Sequence, residues 1–156
     1  MEKDQETPPA AEPPFWRSKT LREMSAAEWE ALCDGCGLCC LILLEDSDTG
    51  AVFETDVSCR LFNGATCRCS DYQRRLKRVP GCVNLTPDNV GDLNWMPDTC
   101  AYRVLARGED LPDWHPLVSG DPESVHALGP SVRNRTISER KVRQRDLQDR
   151  VGKRRC

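Results

Sequence analysis

Nine of the ten cysteines of this 156-residue chain fall between Cys33 and Cys100, a window of 68 residues. Thiols at that density either form disulfides, do redox chemistry or bind metal, and the compartment decides among these. The first fourteen residues, MEKDQETPPAAEPP, are acidic and proline-rich and lack the basic and apolar regions of a secretory signal. The longest dense apolar run, Cys39 to Leu44, has six residues, far short of the roughly 18 to 20 that cross a bilayer. The expectation is therefore a cytoplasmic protein with no membrane partner, whose cysteines are thiolate ligands. The need for metal is also physical. Leu, Ile, Val and Phe together number 31 of 156 residues, near the one-fifth level at which composition starts to suggest disorder, so an apolar core alone is marginal.

The head of the series is Cys33-Asp34-Gly35-Cys36-Gly37-Leu38-Cys39-Cys40. Two successive C-x2-C steps curl three sulfurs around a common point, and Gly35 and Gly37 permit the tight turns this requires. Adjacent side chains diverge in regular backbone, so Cys39 and Cys40 are expected to serve different purposes. Cys59, Cys67, Cys69, Cys82 and Cys100 are the available partners, and all nine are candidate metal ligands. Nine thiols are one more than two four-cysteine sites need, which leaves one spare or a single site with several structural cysteines. Zinc modules pair two separated C-x2-C knuckles, whereas C-x2-C-x2-C resembles the ligand loop of bacterial ferredoxins. The implied cofactor is a zinc ion or an iron–sulfur cluster, with the triple favouring iron. Against it, the ferredoxin run continues with three residues and a Cys-Pro, while here Cys40 follows at once and Leu41 comes next.

Local signals predict short elements. Ser25-Ala26-Ala27-Glu28 is a capping box that starts a helix over about 26–32, with Met24 and Trp29 as a hydrophobic staple. Residues 40–44 and 51–55 flank the polar turn Asp46-Ser47-Asp48-Thr49-Gly50 as a β-hairpin. Ser70 caps a brief helix through Leu76, Thr86-Pro87 starts another, and a third runs from Cys100 to Arg107 with Gly108 as its stop. A strand is expected over 131–137 and a polar helix over about 138–151. The fold class is α+β: a small, irregular, metal-stabilised domain of short helices and a β-hairpin. It divides into a disordered leader (1–14), a cysteine-cluster domain (15–137) and a basic C-terminal helix or tail (138–156). From Ser131 onward, ten Lys and Arg face three acidic residues, although the whole chain carries −3. Such a tail is a possible contact for a protein or nucleic-acid partner, although a solvated polar face is the commoner use.

Phe15-Trp16 through Lys19-Thr20-Leu21, Met24-Ser25, Glu28-Trp29-Glu30 and Leu32-Cys33-Asp34-Gly35-Cys36-Gly37 into Cys39-Cys40 resemble the YcgN family of bacterial cysteine-cluster proteins. The resemblance continues through Cys67-Arg68-Cys69, Tyr72, Arg75, Trp95, Pro97, Thr99-Cys100-Ala101-Tyr102-Arg103 and Leu111-Pro112 to Trp114-His115-Pro116-Leu117, so it spans roughly residues 15 to 137. It implies a zinc- or iron-chelating domain of uncharacterised role. The flagellin lysine methylases share the motif in longer chains, but no glycine-rich methyl-donor loop is present here and methylation is not implied.

The remaining polar candidates have ordinary readings. His115, beside tryptophan and proline, reads as a packed, hydrogen-bonded residue rather than a ligand. His126 reads as exposed, Trp29 and Trp95 as packing groups, and Cys156 as an exposed, unpaired thiol. Tyr72 with Arg74, Arg75, Lys77 and Arg78 forms a local basic-aromatic group. G-x-S-x-G, G-x4-G-K-[ST], H-E-x-x-H and H-x-E are all missing from the sequence, and no catalytic residue is named.

Overall fold

The computed structural model describes residues 10–156. The expected leader falls mainly on residues 1–9, outside the described residues, and Ala10 to Pro14 carry no secondary structure. Helices are short: α1 (Phe15–Ser18), α2 (Ala26–Ala31), α3 (Arg75–Arg78), α4 (Ala101–Ala106), α5 (Pro116–Ser119) and α6 (Ser124–Ala127). Strands are β1 (Leu41–Glu45), β2 (Val52–Ser58), β3 (Phe62–Asn63), β4 (Arg68–Cys69), β5 (Ile137–Ser138) and β6 (Val151–Arg154). The α+β expectation is met.

α2 forms where its capping box places it. The Ser25 hydroxyl accepts the Glu28 N–H at 3.2 Å and the Glu28 carboxylate accepts the Ser25 N–H at 2.8 Å, satisfying two otherwise orphaned donors. The hairpin is also present: β1 and β2 pair antiparallel, with Leu44 opposite Phe53 and Glu45 opposite Val52. In its turn, the Asp46 carboxylate accepts the N–H groups of Asp48 and Thr49, each at 2.9 Å. β2 is the spine of the sheet. It carries β1 along one edge, and β5 (parallel) and β6 (antiparallel) share the other. β3 and β4 form a separate two-stranded ribbon.

Several elements differ from expectation. The helix expected over 138–151 is instead two 3-10 turns, Glu139–Lys141 and Gln144–Arg150, running into β6. β6 pairs with β2 over Val151–Arg154, while a short polar helix with no apolar face to bury is marginal on propensity alone. The tail thus belongs to the sheet. The strand expected over 131–137 is reduced to its last residue, since Asn134 takes a φ of 60° and Arg135 closes a turn onto Val132. Thr86 and Asn89 exchange reciprocal bonds, as a helix start does, but only turns follow. Asp71 rather than Ser70 precedes the 3-10 turn Tyr72–Arg74 that leads into α3.

The core is divided. One cluster comprises Leu32, Val90, Ala101, Tyr102 and Leu111, with Phe15, Trp16, Trp29 and Cys100 packed against it. The other comprises Leu41, Phe62, Cys67 and Val132, with Leu38, Cys40 and Cys59 around it. Residues 33–40 run between Leu32 of the first cluster and Leu41 of the second. The C-x2-C-x2-C-C loop is therefore the covalent bridge between two small apolar units, neither of which is large by itself.

Candidate metal centre

Two glycines shape the loop. Gly35 and Gly37 have φ values of 78° and 80°, a region that costs an L-residue with a Cβ about 1–2 kcal/mol. At Gly37 a Cβ would also stand 2.7 Å from Phe62 Cζ and Val132 Cγ2 and 2.8 Å from Cys67 Sγ. Past Gly37 the chain turns through a 3-10 segment, Leu38–Cys40, into β1. This tight turn brings the Cys39 and Cys40 thiols into hydrogen-bonding range of each other, where extended or helical backbone would separate them.

The Leu61 N–H donates to Cys59 Sγ at 3.5 Å. The backbone N–H groups of Gly35, of Leu38, and of Tyr102 with Arg103 favour the thiolates of Cys33, Cys36 and Cys100 respectively, partly opposing the rise that burial imposes. Such N–H groups offset thiolate charge and are the outer support a sulfur-ligated metal needs.

Electrostatics show which thiols are neighbours. Burial pushes the Cys33 thiol up to about 12, with Cys39, Asp34 and Cys100 adding to the rise. Burial raises Cys36 well above its ordinary value, reinforced by Asp34 and Cys39. Cys100 is pushed to about 11 by burial, with smaller contributions from Cys39 and Asp34. Cys39 moves the other way, lowered by the hydrogen bond from Cys40 and by the positive charge of Arg155. Cys40 is raised by that same bond, by burial, and by Cys39, Cys59 and Cys69. Cys33 and Cys39 are reached by solvent, so they form the open side of the group while protein atoms crowd their other sides.

Asp34 was not singled out from sequence. It is 6% exposed, its Oδ1 accepts the Cys36 N–H at 2.9 Å, and its Oδ2 has no hydrogen-bond partner. A buried carboxylate oxygen without a partner is costly unless a cation completes it. The donor set here is sulfur-rich, amide-supported and flanked by that oxygen, which fits a thiophilic metal. Among the described residues, no three His, Cys, Asp or Glu side chains are drawn together tightly enough to hold a single ion.

Arg155 is the other residue that sequence reasoning missed. Its side chain, 4% exposed, donates to Glu54 at 3.0 Å, to the Trp95 carbonyl at 3.3 Å and to the Leu38 carbonyl at 2.7 Å. A residue of the basic tail thus grips the cysteine loop. Arg150 likewise pairs with Asp56 at 2.7 Å, so part of the tail's charge is engaged within the fold.

His115 has the packed role expected of it. It is fully buried, its Nε2 donates to the Leu32 carbonyl at 2.9 Å, and its Nδ1 accepts the Leu117 N–H at 3.1 Å. Both ring nitrogens are occupied by hydrogen bonds within the fold. His126, expected exposed, is half-buried against the Ser131 hydroxyl at 2.6 Å. Trp29 packs on the Tyr102 ring at 4.7 Å. In the basic-aromatic group, Arg75 stacks 3.8 Å above the Tyr72 ring while the Tyr72 hydroxyl donates to Glu30. Cys156 is exposed, as expected.

Comparison with known proteins places this arrangement. A family model described as "Putative zinc- or iron-chelating domain", named for the CxxCxxCC motif, matches residues 32–101. A UPF0260 protein of Rhizobium etli is 59% identical over 138 residues, covering 88% of this chain and 87% of the relative. The chain belongs to the UPF0260 family. A second member, from Caulobacter vibrioides, is 61% identical over 126 residues, covering 81% of this chain and 78% of its own. A third, from Parvibaculum lavamentivorans, is 56% identical over 141 residues, covering 90% and 92%. No solved structure matches the chain. No helix among the described residues is long and apolar enough to cross a membrane.

Proposed function

We propose that this UPF0260 protein is a cytoplasmic thiolate metal-binding protein whose metal completes the fold. The ligands are drawn from Cys33, Cys36, Cys39, Cys40, Cys59, Cys67, Cys69, Cys82 and Cys100. The carrying observation is Asp34, buried between Cys33 and Cys36 in the sequence of the loop, whose Oδ2 has no hydrogen-bond partner. A buried carboxylate oxygen of this kind is costly unless a cation completes it. The metal supplies folding free energy: structural zinc in small domains contributes about 10 kcal/mol or more. Here that would hold two small apolar clusters on a common loop. We also read the family as the YcgN-type proteins that the sequence resembles.

Iron–sulfur is preferred to zinc, on the C-x2-C-x2-C triple. A redox or oxidant-sensing use is the second reading, favoured by the solvent access of Cys33 and Cys39. Nucleic-acid binding through the basic tail ranks behind both, because Arg150 and Arg155 are paired internally.

The test is purification without oxygen, with zinc, iron and acid-labile sulfide measured per chain and a visible spectrum of the same sample. Iron with matching sulfide and a visible band that bleaches on reduction supports the cluster. Zinc alone supports a closed structural site. A folded, metal-free protein that takes up neither on reconstitution overturns the proposal.

A further inference from the structure

We propose that the groove beside β6 binds a small amphiphilic anion, an apolar chain or ring that ends in a carboxylate or phosphate group. This site is separate from the cysteines, although Leu38 of their loop stands in its wall.

The groove has a volume of about 680 Å³ and is lined by residues 54–56 of β2, by residues 150–155 through β6, and by residues drawn from the loop segments 96–99 and 130–136. Small-molecule sites span about 300–1,000 Å³. Its apolar part is Leu38, Leu41, Met96, Pro97, Pro130 and Val132. Leu41, Met96 and Val132 also belong to the buried interior, so this apolar surface is set by packing. The walls are tied down as well. The Val132 N–H donates to the Cys36 carbonyl at 3.0 Å and the Asn134 N–H to the Gly64 carbonyl at 2.9 Å. Arg103 donates to the Met96 carbonyl at 2.5 Å, and the Arg155 N–H to the Val52 carbonyl at 2.7 Å. A site fixed in this way loses little conformational freedom on binding.

Three carboxylates and five cations line the groove. Each carboxylate is already matched: Glu54 by Arg155 at 3.0 Å, Asp56 by Arg150 at 2.7 Å, and Asp98 by Arg103, from outside the groove, at 3.0 Å. That leaves Arg135, Lys153 and Arg154. Among the described residues, Arg135 and Lys153 are exposed and have no ion pair and no side-chain hydrogen bond, and the Arg154 side chain bonds only the Cys156 carbonyl. A surplus of three positive charges is thus concentrated here, although the whole chain carries −3. A concave site with an excess of one sign focuses its field and raises the local concentration of ligands of the other.

Apolar surface and surplus charge have to be matched together. An inorganic anion would use the cations alone, and exposed ion pairs contribute little. A neutral apolar molecule would use the apolar surface alone and leave three cations without a counter-charge. A ligand with both parts covers both. A long polyanion fits worse, because the Asp98 side chain, 83% exposed, stands at the same groove. The anionic end is assigned to Arg135 and Lys153. Arg135 also lines a smaller cavity of about 350 Å³, in which Arg133 is paired with Glu123 at 2.6 and 3.0 Å, whereas Lys153 lines only the larger one. Loss of binding on changing Lys153 therefore locates the ligand.

The probe is 1-anilinonaphthalene-8-sulfonate, an apolar ring system with a sulfonate, whose fluorescence rises in an apolar site. It is titrated into the full chain purified without oxygen and then displaced by octanoate, octyl phosphate or octanol. At least one of the two anions is expected to displace it at concentrations about fivefold or more below octanol, and added salt to weaken that anion; the better of the two identifies the head group. Displacement by octanol at the same concentration, or no bound dye, overturns the site. Arg135→Ala and Lys153→Ala should each weaken the anion about fivefold, the upper end for an exposed ion pair, and leave octanol unchanged. Lys77→Ala, on α3 and outside the groove, should match wild type. Far-UV circular dichroism checks the fold of each variant, and should one unfold, octanoate against octanol on the wild-type protein still decides. A folded Lys153→Ala that binds as wild type overturns the assignment to this groove. A single-stranded oligonucleotide that displaces the dye more tightly than either octyl anion means a nucleic-acid surface and overturns it too.

Discussion

Replacing Arg155 by alanine should destabilise the protein by about 3 kcal/mol. The guanidinium joins three places far apart in sequence: Glu54 on β2, the Trp95 carbonyl, and the Leu38 carbonyl inside the cysteine loop. Hydrogen bonds to charged groups contribute about 1.5–3 kcal/mol each, so simple addition would exceed 4 kcal/mol. Addition overstates the loss, because the Glu54 side chain is 22% exposed and recovers some hydration once its partner is gone. Removing one member of a largely buried pair typically costs 3–5 kcal/mol, and the lower end applies here. For a chain of this size that corresponds to a fall of about 6–12 °C in Tm. Urea unfolding of the metal-loaded protein measures it, with Arg154→Ala as control: that neighbour is exposed and its side chain bonds only the Cys156 carbonyl. The control should lie within about 0.5 kcal/mol of wild type. If Arg155→Ala is equally silent, the three contacts do not hold the loop and the clamp is refuted.

Two further outcomes follow from the loop itself. Gly37→Ala combines a φ of 80° with close approach to Phe62, Val132 and Cys67, and should cost at least about 2 kcal/mol, whereas Gly81→Ala, with open space around it, should be near neutral; chemical denaturation of the pair compares them. Metal removal should unfold the chain, because a structural site contributes about 10 kcal/mol or more, comparable to the entire stability of about 5–15 kcal/mol of a small domain. Far-UV circular dichroism before and after chelation under reductant measures it; an unchanged spectrum from metal-free protein contradicts the structural role assigned to the metal.

What could be read from sequence was what depends on neighbours within a few residues. Ser25 and Glu28 specify the start of α2 by local bonds, and the Asp46–Gly50 turn specifies the β1–β2 hairpin in the same way. The strand β6 was unreadable because Val151-Gly152-Lys153-Arg154 has no apolar alternation. It is an exposed edge strand, held by backbone pairing to residues nearly a hundred positions earlier, and charged edges of this kind carry no hydrophobic signal. Arg155 looked like one more solvated cation for the same reason. Asp34 had a signal that sequence reading passed over: an acidic residue inside a C-x2-C step is placed by the turn itself against the sulfurs. The nine cysteines were legible as a group, but which backbone segments meet around them, as the Cys59 N–H does with the Cys40 carbonyl, is not encoded in their spacing.

The grip of Arg155 on Leu38 spans 117 residues. At synthesis rates of about 5–20 residues per second, roughly 6 to 23 s pass between the moment the cysteine loop leaves the peptidyl-transferase centre and the moment its clamp does. Once residues 41–58 have been made and have emerged, the hairpin β1–β2 can form, but until residues 151–155 follow the sheet has no β6 and Glu54 lacks its Arg155 partner. The order of synthesis therefore makes the cysteine loop early to emerge and late to lock. For the growing chain, that leaves a window of seconds in which the thiols of the loop are not yet enclosed by the finished fold.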